Sequence, residues 1–169
     1  MKKIQTLLLS ALFALLLNPA FTSAQTGSKQ ATVKVSGEVS APLDIKLSDM
    51  AQFEQTKVNR KDRDGKERVY SGVMLSAILQ KAGVTMGKDL KGENLTKYVS
   101  VEASDGYQVI FALVELDKDF TDRQIILADE VDGKPLPEGD GQFRIIVQDE
   151  KKPARCIKMV TAITIKFAK

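Results

Sequence analysis

The residues able to carry chemistry are few. The chain holds no histidine and a single cysteine, Cys156. Without an imidazole base, Ser-His-Asp and Cys-His nucleophile systems are excluded. Without histidines or a cysteine pair, the usual ligand sets for zinc, copper and haem are missing as well. Cys156 stands between Arg155 and Lys158, two cations able to lower a thiol pKa. Its apolar neighbours Ile157 and Met159 favour the other reading, a small buried core residue. Glu115 and Asp117 invite comparison with an acid–base pair of carboxylates. Two residues apart on a helical turn, they face different ways.

The amino-terminal residues set the context of that chemistry. Lys2 and Lys3 precede an apolar run from Thr6 to Leu17, which Asn18 and Pro19 break. Thr22 and Ala24 place small residues three and one positions before a cut ahead of Gln25. Residues 1–24 therefore read as a cleavable secretory signal, with an apolar run too short to span a bilayer. The expected location is periplasmic or secreted, with no membrane anchor after cleavage. The whole chain has 25 Lys+Arg against 22 Asp+Glu. Loss of Lys2 and Lys3 leaves these nearly balanced, so the charge carries no footprint for nucleic acid. The basic stretch Lys57 to Arg68 is interleaved with Asp62, Asp64 and Glu67 and reads as a solvated hairpin tip.

The mature chain of about 145 residues is of ordinary size for one domain, large enough to fold without a disulfide. Residues 25–30 are a polar leader, and residues 31–169 form the domain. Period-two alternation marks Val33 and Val35, then Ile45 and Leu47, as strands either side of Pro42. Ser48 is placed to cap a short helical turn reaching Phe53. Gln55 to Val58 and Arg68 to Tyr70 read as hairpin arms joined by a loop over Asn59 to Glu67. Leu75, Ile78, Leu79 and Ala82 recur at helical spacing, and Gly83 stands where a left-handed cap would end the helix.

Tyr98 to Glu102 and Gln108 to Phe111 flank Ser104-Asp105-Gly106 as a second hairpin, with a packed Tyr107 after the turn. Further strands are expected at Gln124 to Ala128, Phe143 to Val147 and Ala162 to Phe167, with a helical turn at Val114 to Leu116. Asp132 to Pro135 and Glu138 to Gly141 carry loop residues. Many short strands with few helices predict a single compact α+β domain built on mixed sheet.

Several strings, in order, resemble a known family. Tyr70-Ser71-Gly72-Val73-Met74-Leu75, then Ile78-Leu79 and Ala82-Gly83, resemble the Y-x-G-V-P-L…L-L…A-G stretch of the oxidoreductase molybdopterin-binding domain, the catalytic domain of sulfite oxidase-like proteins. Leu127-Ala128, Asp132-Gly133-Lys134-Pro135-Leu136-Pro137, Gly141 and Arg144 resemble its L-A…N-G-x-P-L-P…G…R pattern. Ala154 to Met159 is similar to its A-R-x-V-K-W tail. The resemblance spans Val35 to Ile165 and implies a sulfite oxidase-like fold.

The resemblance also implies a cofactor site, from which this chain departs. In that family a cysteine at the end of the strand after the helix ligates molybdenum. The corresponding position here is Ala103 or Ser104, and neither a methyl group nor a hydroxyl replaces a soft thiolate. By resemblance, Arg144, Arg155 and Lys158 could converge on an anion, with Tyr107 and Ser104 beside them; Arg144 could equally pair with a carboxylate such as Asp149. The expected protein binds no molybdopterin and uses the old cleft for a small anionic ligand or a protein partner. A molybdopterin-dependent oxidoreductase with an unconventional metal site is the alternative, and a purely structural domain is a third. The signal lacks a twin arginine, which points to export of an unfolded chain without a preassembled cofactor.

Overall fold

The computed structural model describes residues 30–168. The expected secretory signal and all but the last residue of the expected leader lie outside the described residues. The alternating residues Val33 and Val35 bury one face of β1 (Val33–Gly37), which pairs antiparallel with β2 (Leu43–Ile45). On its other side β1 runs parallel to β10 (Val160–Phe167), with Lys34 opposite Ala162. Next come β5 (Lys97–Ala103) and β6 (Gln108–Ala112), both antiparallel, giving the order β2-β1-β10-β5-β6. One parallel pair among antiparallel ones makes this the expected mixed sheet.

The second sheet is antiparallel throughout. It contains β3 (Gln55–Lys61), β4 (Glu67–Met74), β7 (Ile125–Val131) and β8 (Lys134–Pro135) in that order, with β9 (Arg144–Val147) also paired to β7. Ile125 to Ala128 are all buried, as are Ile145 to Val147. Such runs imply burial on both faces. Ile125, Leu127, Ile145 and Val147 join the main core with residues of the first sheet, while Ile126, Ala128 and Ile146 pack with Val58 and Tyr70 in a smaller cluster.

The helix predicted from Leu75 to Ala82 is α2 (Leu75–Lys81), following the single turn α1 (Leu47–Met50). Leu75, Ile78 and Leu79 are fully buried, as the spacing requires. Gly83, at φ +75°, donates to the Gln80 carbonyl, and Val84 donates to that of Leu79. These two bonds form a Schellman cap that stops the helix.

Five local expectations are corrected. Leu47 opens α1 instead of continuing a strand, and the turn is capped by Asp49, whose Oδ2 accepts from the Lys46 N–H at 2.9 Å, not by Ser48. The loop expected over Asn59 to Glu67 shrinks to residues 62–66, because Val58 and Arg60 are buried and keep β3 paired as far as Lys61. Lys134 and Pro135 pair with β7 instead of lying in a loop. Asp132 and Gly133, both at positive φ, make the two-residue turn that such a hairpin favours. Tyr107, expected to pack, is 51% exposed.

Gly72 marks the tightest backbone approach between β4 and β7, at a register shift. A Cβ there would lie 2.2 Å from the Leu127 carbonyl oxygen and 2.5 Å from the Ala128 Cα. Gly72→Ala must push two central strands apart, at an expected cost of about 1–3 kcal/mol or more. Gly65, at φ +80° in an open hairpin tip, has nothing within 4 Å of such a Cβ; Gly65→Ala should cost only about 1 kcal/mol, from backbone strain. Urea unfolding of the two variants checks the order.

Candidate functional site

A concave feature lies where the ends of several elements meet. It is a cleft of about 630 Å³. β4 supplies Tyr70 to it, β9 supplies Arg144, and the turn Glu138–Asp140 supplies Asp140. The β3–β4 tip brings Asp62, Asp64 and Arg68, while Lys158 and Met159 come from the segment before β10. Ala103, the last residue of β5, and Tyr107, after the β5–β6 turn, complete the wall.

A continuous hydrogen-bonded chain links these polar residues. Arg68 Nη1 donates to Asp62 Oδ2 at 2.6 Å, and the Tyr70 hydroxyl donates to the same oxygen at 2.8 Å. Arg144 Nη1 lies 2.9 Å from the Tyr70 hydroxyl and 2.8 Å from Asp140 Oδ2, donating to both. Lys158 Nζ pairs with Asp140 Oδ1 at 2.5 Å. Arg68 Nη2 also holds Asp64, keeping that carboxyl down at about 2 through the hydrogen bond itself. Within this network three cations face three carboxylates; Arg63 and Asp105, also in the lining, enter no ion pair among the described residues and leave the cleft formally balanced.

Burial makes this network stiff. The side chains of Arg144 and Asp140 are each only 9% exposed. The guanidinium sits 5.2 Å from the centre of the Tyr70 ring, adding a cation–π contact. Its Nε has no hydrogen-bond partner among the described residues. Burial, with the bond to Asp62 adding to it, pushes the Tyr70 phenol up to about 12.

The structure brings together some of the residues singled out in the sequence. Arg144, Lys158 and Tyr107 all line the cleft, and Tyr107 reaches across its rim to donate to the Ala154 carbonyl at 3.1 Å. Arg144 takes Asp140, not Asp149, as its carboxylate. Arg155 is not among the lining residues. Its Nε donates to Glu150 at 2.8 Å and its Nη1 to Glu115 at 3.0 Å, with the guanidinium 4.7 Å over the Phe111 ring. Arg155 therefore straps the turn Pro153–Arg155 onto the edge strand β6.

Ser104 lies outside the lining too; its backbone N–H donates to the Met159 carbonyl. Cys156 is 4% exposed, accepts from the Val147 N–H, and has its thiol pushed up by burial. It is the packed residue, not the activated one. Glu115 and Asp117 face apart, Asp117 accepting from the Gly87 and Asp119 N–H groups.

Tyr70, Asp62, Arg68 and Asp140 were not singled out as site residues. Asp140 stood in a string read only as a loop, although its spacing of four from Arg144 was a visible signal.

A model of the oxidoreductase molybdopterin binding domain matches residues 21–168. The chain belongs to that family. Its fold is similar to the crystal structure of the sulfane dehydrogenase SoxCD from Paracoccus pantotrophus, at a TM-score of 0.62 and 20% identity. That match covers 80% of this chain but 38% of the other, so the chain spans well under half the length of that protein. No curated protein matches the sequence. The sulfite oxidase-like fold expected from the motifs is the fold observed.

The donor set of the cleft does not fit a molybdenum centre of the kind the family resemblance implies. β5 ends at the cleft in the Ala103 methyl group, and Cys156, also in the cleft wall, is only 4% exposed with its thiol pushed up by burial. No group of three or more His, Cys, Asp or Glu able to hold a metal ion occurs among the described residues. Arg144 and Lys158, the cations available to a pterin phosphate, are already bound to Asp140.

Two measurements test the network. Asp140→Ala leaves a buried guanidinium unpaired and should cost about 3–5 kcal/mol in chemical denaturation. Tyr70 has a folded pKa near 12 against 10.0 for a free phenol. Over that interval the unfolded chain binds fewer protons, so stability should be whole below pH 10 and fall as pH rises toward 12. Tyr70→Phe should remove that part of the alkaline slope, read as Tm against pH.

Proposed function

We propose that this chain is an exported, non-catalytic member of the molybdopterin-binding-domain family that uses the inherited cleft to bind a ligand or a protein partner. The observation that carries the reading is the internal neutralisation of the cleft. Arg144 and Lys158 are held by Asp140, and Arg68 by Asp62 and Asp64, where a charged cofactor would need those cations free. The Ala103 methyl in place of a thiolate supports the same conclusion. Export rests on residues 1–24, whose order of charged, apolar and small residues is that of a secretory signal. No helix among the described residues is long and apolar enough to cross a membrane.

The shape of the cleft favours binding. Tyr107 is half-exposed at the rim, and Met159, Pro137 and Pro153 give the walls an apolar component beside the paired charges. Apolar wall residues set beside fixed polar groups can bury part of a ligand and orient it.

Elemental analysis of the protein recovered from its native compartment tests the reading directly. Molybdenum is expected well below one atom per chain. A stoichiometric content would overturn it and favour a molybdopterin-dependent oxidoreductase with an unconventional metal site.

A further inference from the structure

A second groove, of about 840 Å³, runs between the β3–β4 tip and residues 149–154. It adjoins the cleft, because Asp62, Arg63, Pro153 and Ala154 line both. The two depressions differ in charge. Lys61, Arg63, Lys151 and Lys152 line the groove, all exposed, and none of them enters an ion pair among the described residues. The carboxylates nearby are largely spent: Glu150 is held by Arg155, and Asp62 by Arg68 and Tyr70. Among the carboxylates lining the groove only Asp149 is unpaired, and on the neighbouring strand Glu67 stands opposite Lys61, so two carboxylates face four cations.

Arg60 lies beneath these cations. Its side chain is 4% exposed, and it donates to two carbonyl oxygens, those of Val147 at 2.7 Å and Glu150 at 3.2 Å. Its Nε forms a long ion pair with Asp62 Oδ1 at 4.0 Å and makes no hydrogen bond among the described residues. Asp62 is within ion-pair distance and shares Arg68 with Asp64, so Arg60 is offset locally and adds no net positive charge beneath the groove. The positive character of the groove is therefore carried by the exposed side chains of Lys61, Arg63, Lys151 and Lys152.

We propose that the groove and the cleft together bind an extended acidic polypeptide segment. Its carboxylates lie over Lys61, Arg63, Lys151 and Lys152, and an adjoining apolar side chain enters the cleft between Tyr107 and Met159. This rests on the reading of the cleft as an open, non-catalytic site. A phosphate site would gather forked arginines or converging N–H groups around one point. Here three of the four free cations are lysines, placed on the two sides of an open groove, which suits carboxylates spaced along a chain. The charge-balanced cleft next door offers nothing to a second anion and an apolar wall to a side chain.

Fluorescence anisotropy with the mature chain tests this, using a short labelled peptide in which glutamates flank a leucine. Binding should weaken as ionic strength rises, and at least about tenfold in the double variant Lys151→Glu, Lys152→Glu. Both lysines are exposed, so an unchanged Tm establishes that the variant is folded. Glutamine in place of each peptide glutamate should abolish binding, and glycine in place of the leucine should weaken it severalfold. Equal binding of the glutamine peptide, or an unaltered affinity in the double variant, overturns the proposal. So does binding of inorganic phosphate or phosphatidylglycerol vesicles by a protein that ignores the peptide. Molybdenum is measured on the same sample. Metal-free protein that does not bind the peptide sinks this proposal alone, whereas stoichiometric molybdenum sinks the reading of the cleft on which it rests.

Discussion

The buried carboxylate of Asp140 holds the functional end of this molecule together. It receives Arg144 from β9 on one oxygen and Lys158 on the other, joining two stretches of chain that approach from opposite sides. The backbone repeats the connection, since the Met159 N–H donates to the Asp140 carbonyl. Gly141 then lies so close to Met159 that a Cβ on it would be 2.9 Å from the Met159 Cα. A carboxylate this deeply buried is tolerable only when both its oxygens are engaged by charged donors. The geometry of the cleft follows from satisfying that one group, because Tyr70 is oriented through Arg144, and Asp62 through Tyr70.

The second sheet makes such a network possible by being covered on both sides. Its β7 and β9 residues alternate between the main core and the smaller cluster around Tyr70 and Val58. A phenol in that cluster can offer its ring to apolar neighbours and its hydroxyl to the charged chain at the edge. Arg144, opposite Ala128 in the register, leaves the sheet at the same edge. The polar chain is thus a continuation of the core, and its stiffness is inherited from it. Arg155 works in the same manner farther out, fixing the turn that forms one rim without entering the cleft.

Elements whose information is local were legible in the sequence. The α2 helix was marked by Leu75, Ile78 and Leu79 together with Gly83, all within a few turns of chain. The β5–β6 hairpin was marked by alternation and by Gly106. The hairpin arm through Arg60 was underestimated because an arginine reads as solvated, while the fold buries it against carbonyls more than eighty positions away. The site was harder for the same reason. Arg144, Lys158 and Tyr107 could be picked out through the family motifs, but the partners that set their charge state come from across the fold. Nothing in the order of residues states that Tyr70 meets Asp62 and Arg144 at once. Arg155 and Lys158, close in the chain, point to different neighbours, a difference that only backbone geometry decides.

The parallel pairing of β1 with β10 bears on how the chain acquires its structure. Lys34 stands opposite Ala162, so the strand made first can be enclosed only by the strand made last. Closing so long a loop is entropically expensive, and contacts of high sequence separation slow folding. The middle of the first sheet therefore stays open until nearly the whole domain is present. A chain with that wiring completes its first sheet only when β10 is in place, so truncation near the end of the domain would unseat the strand at its beginning.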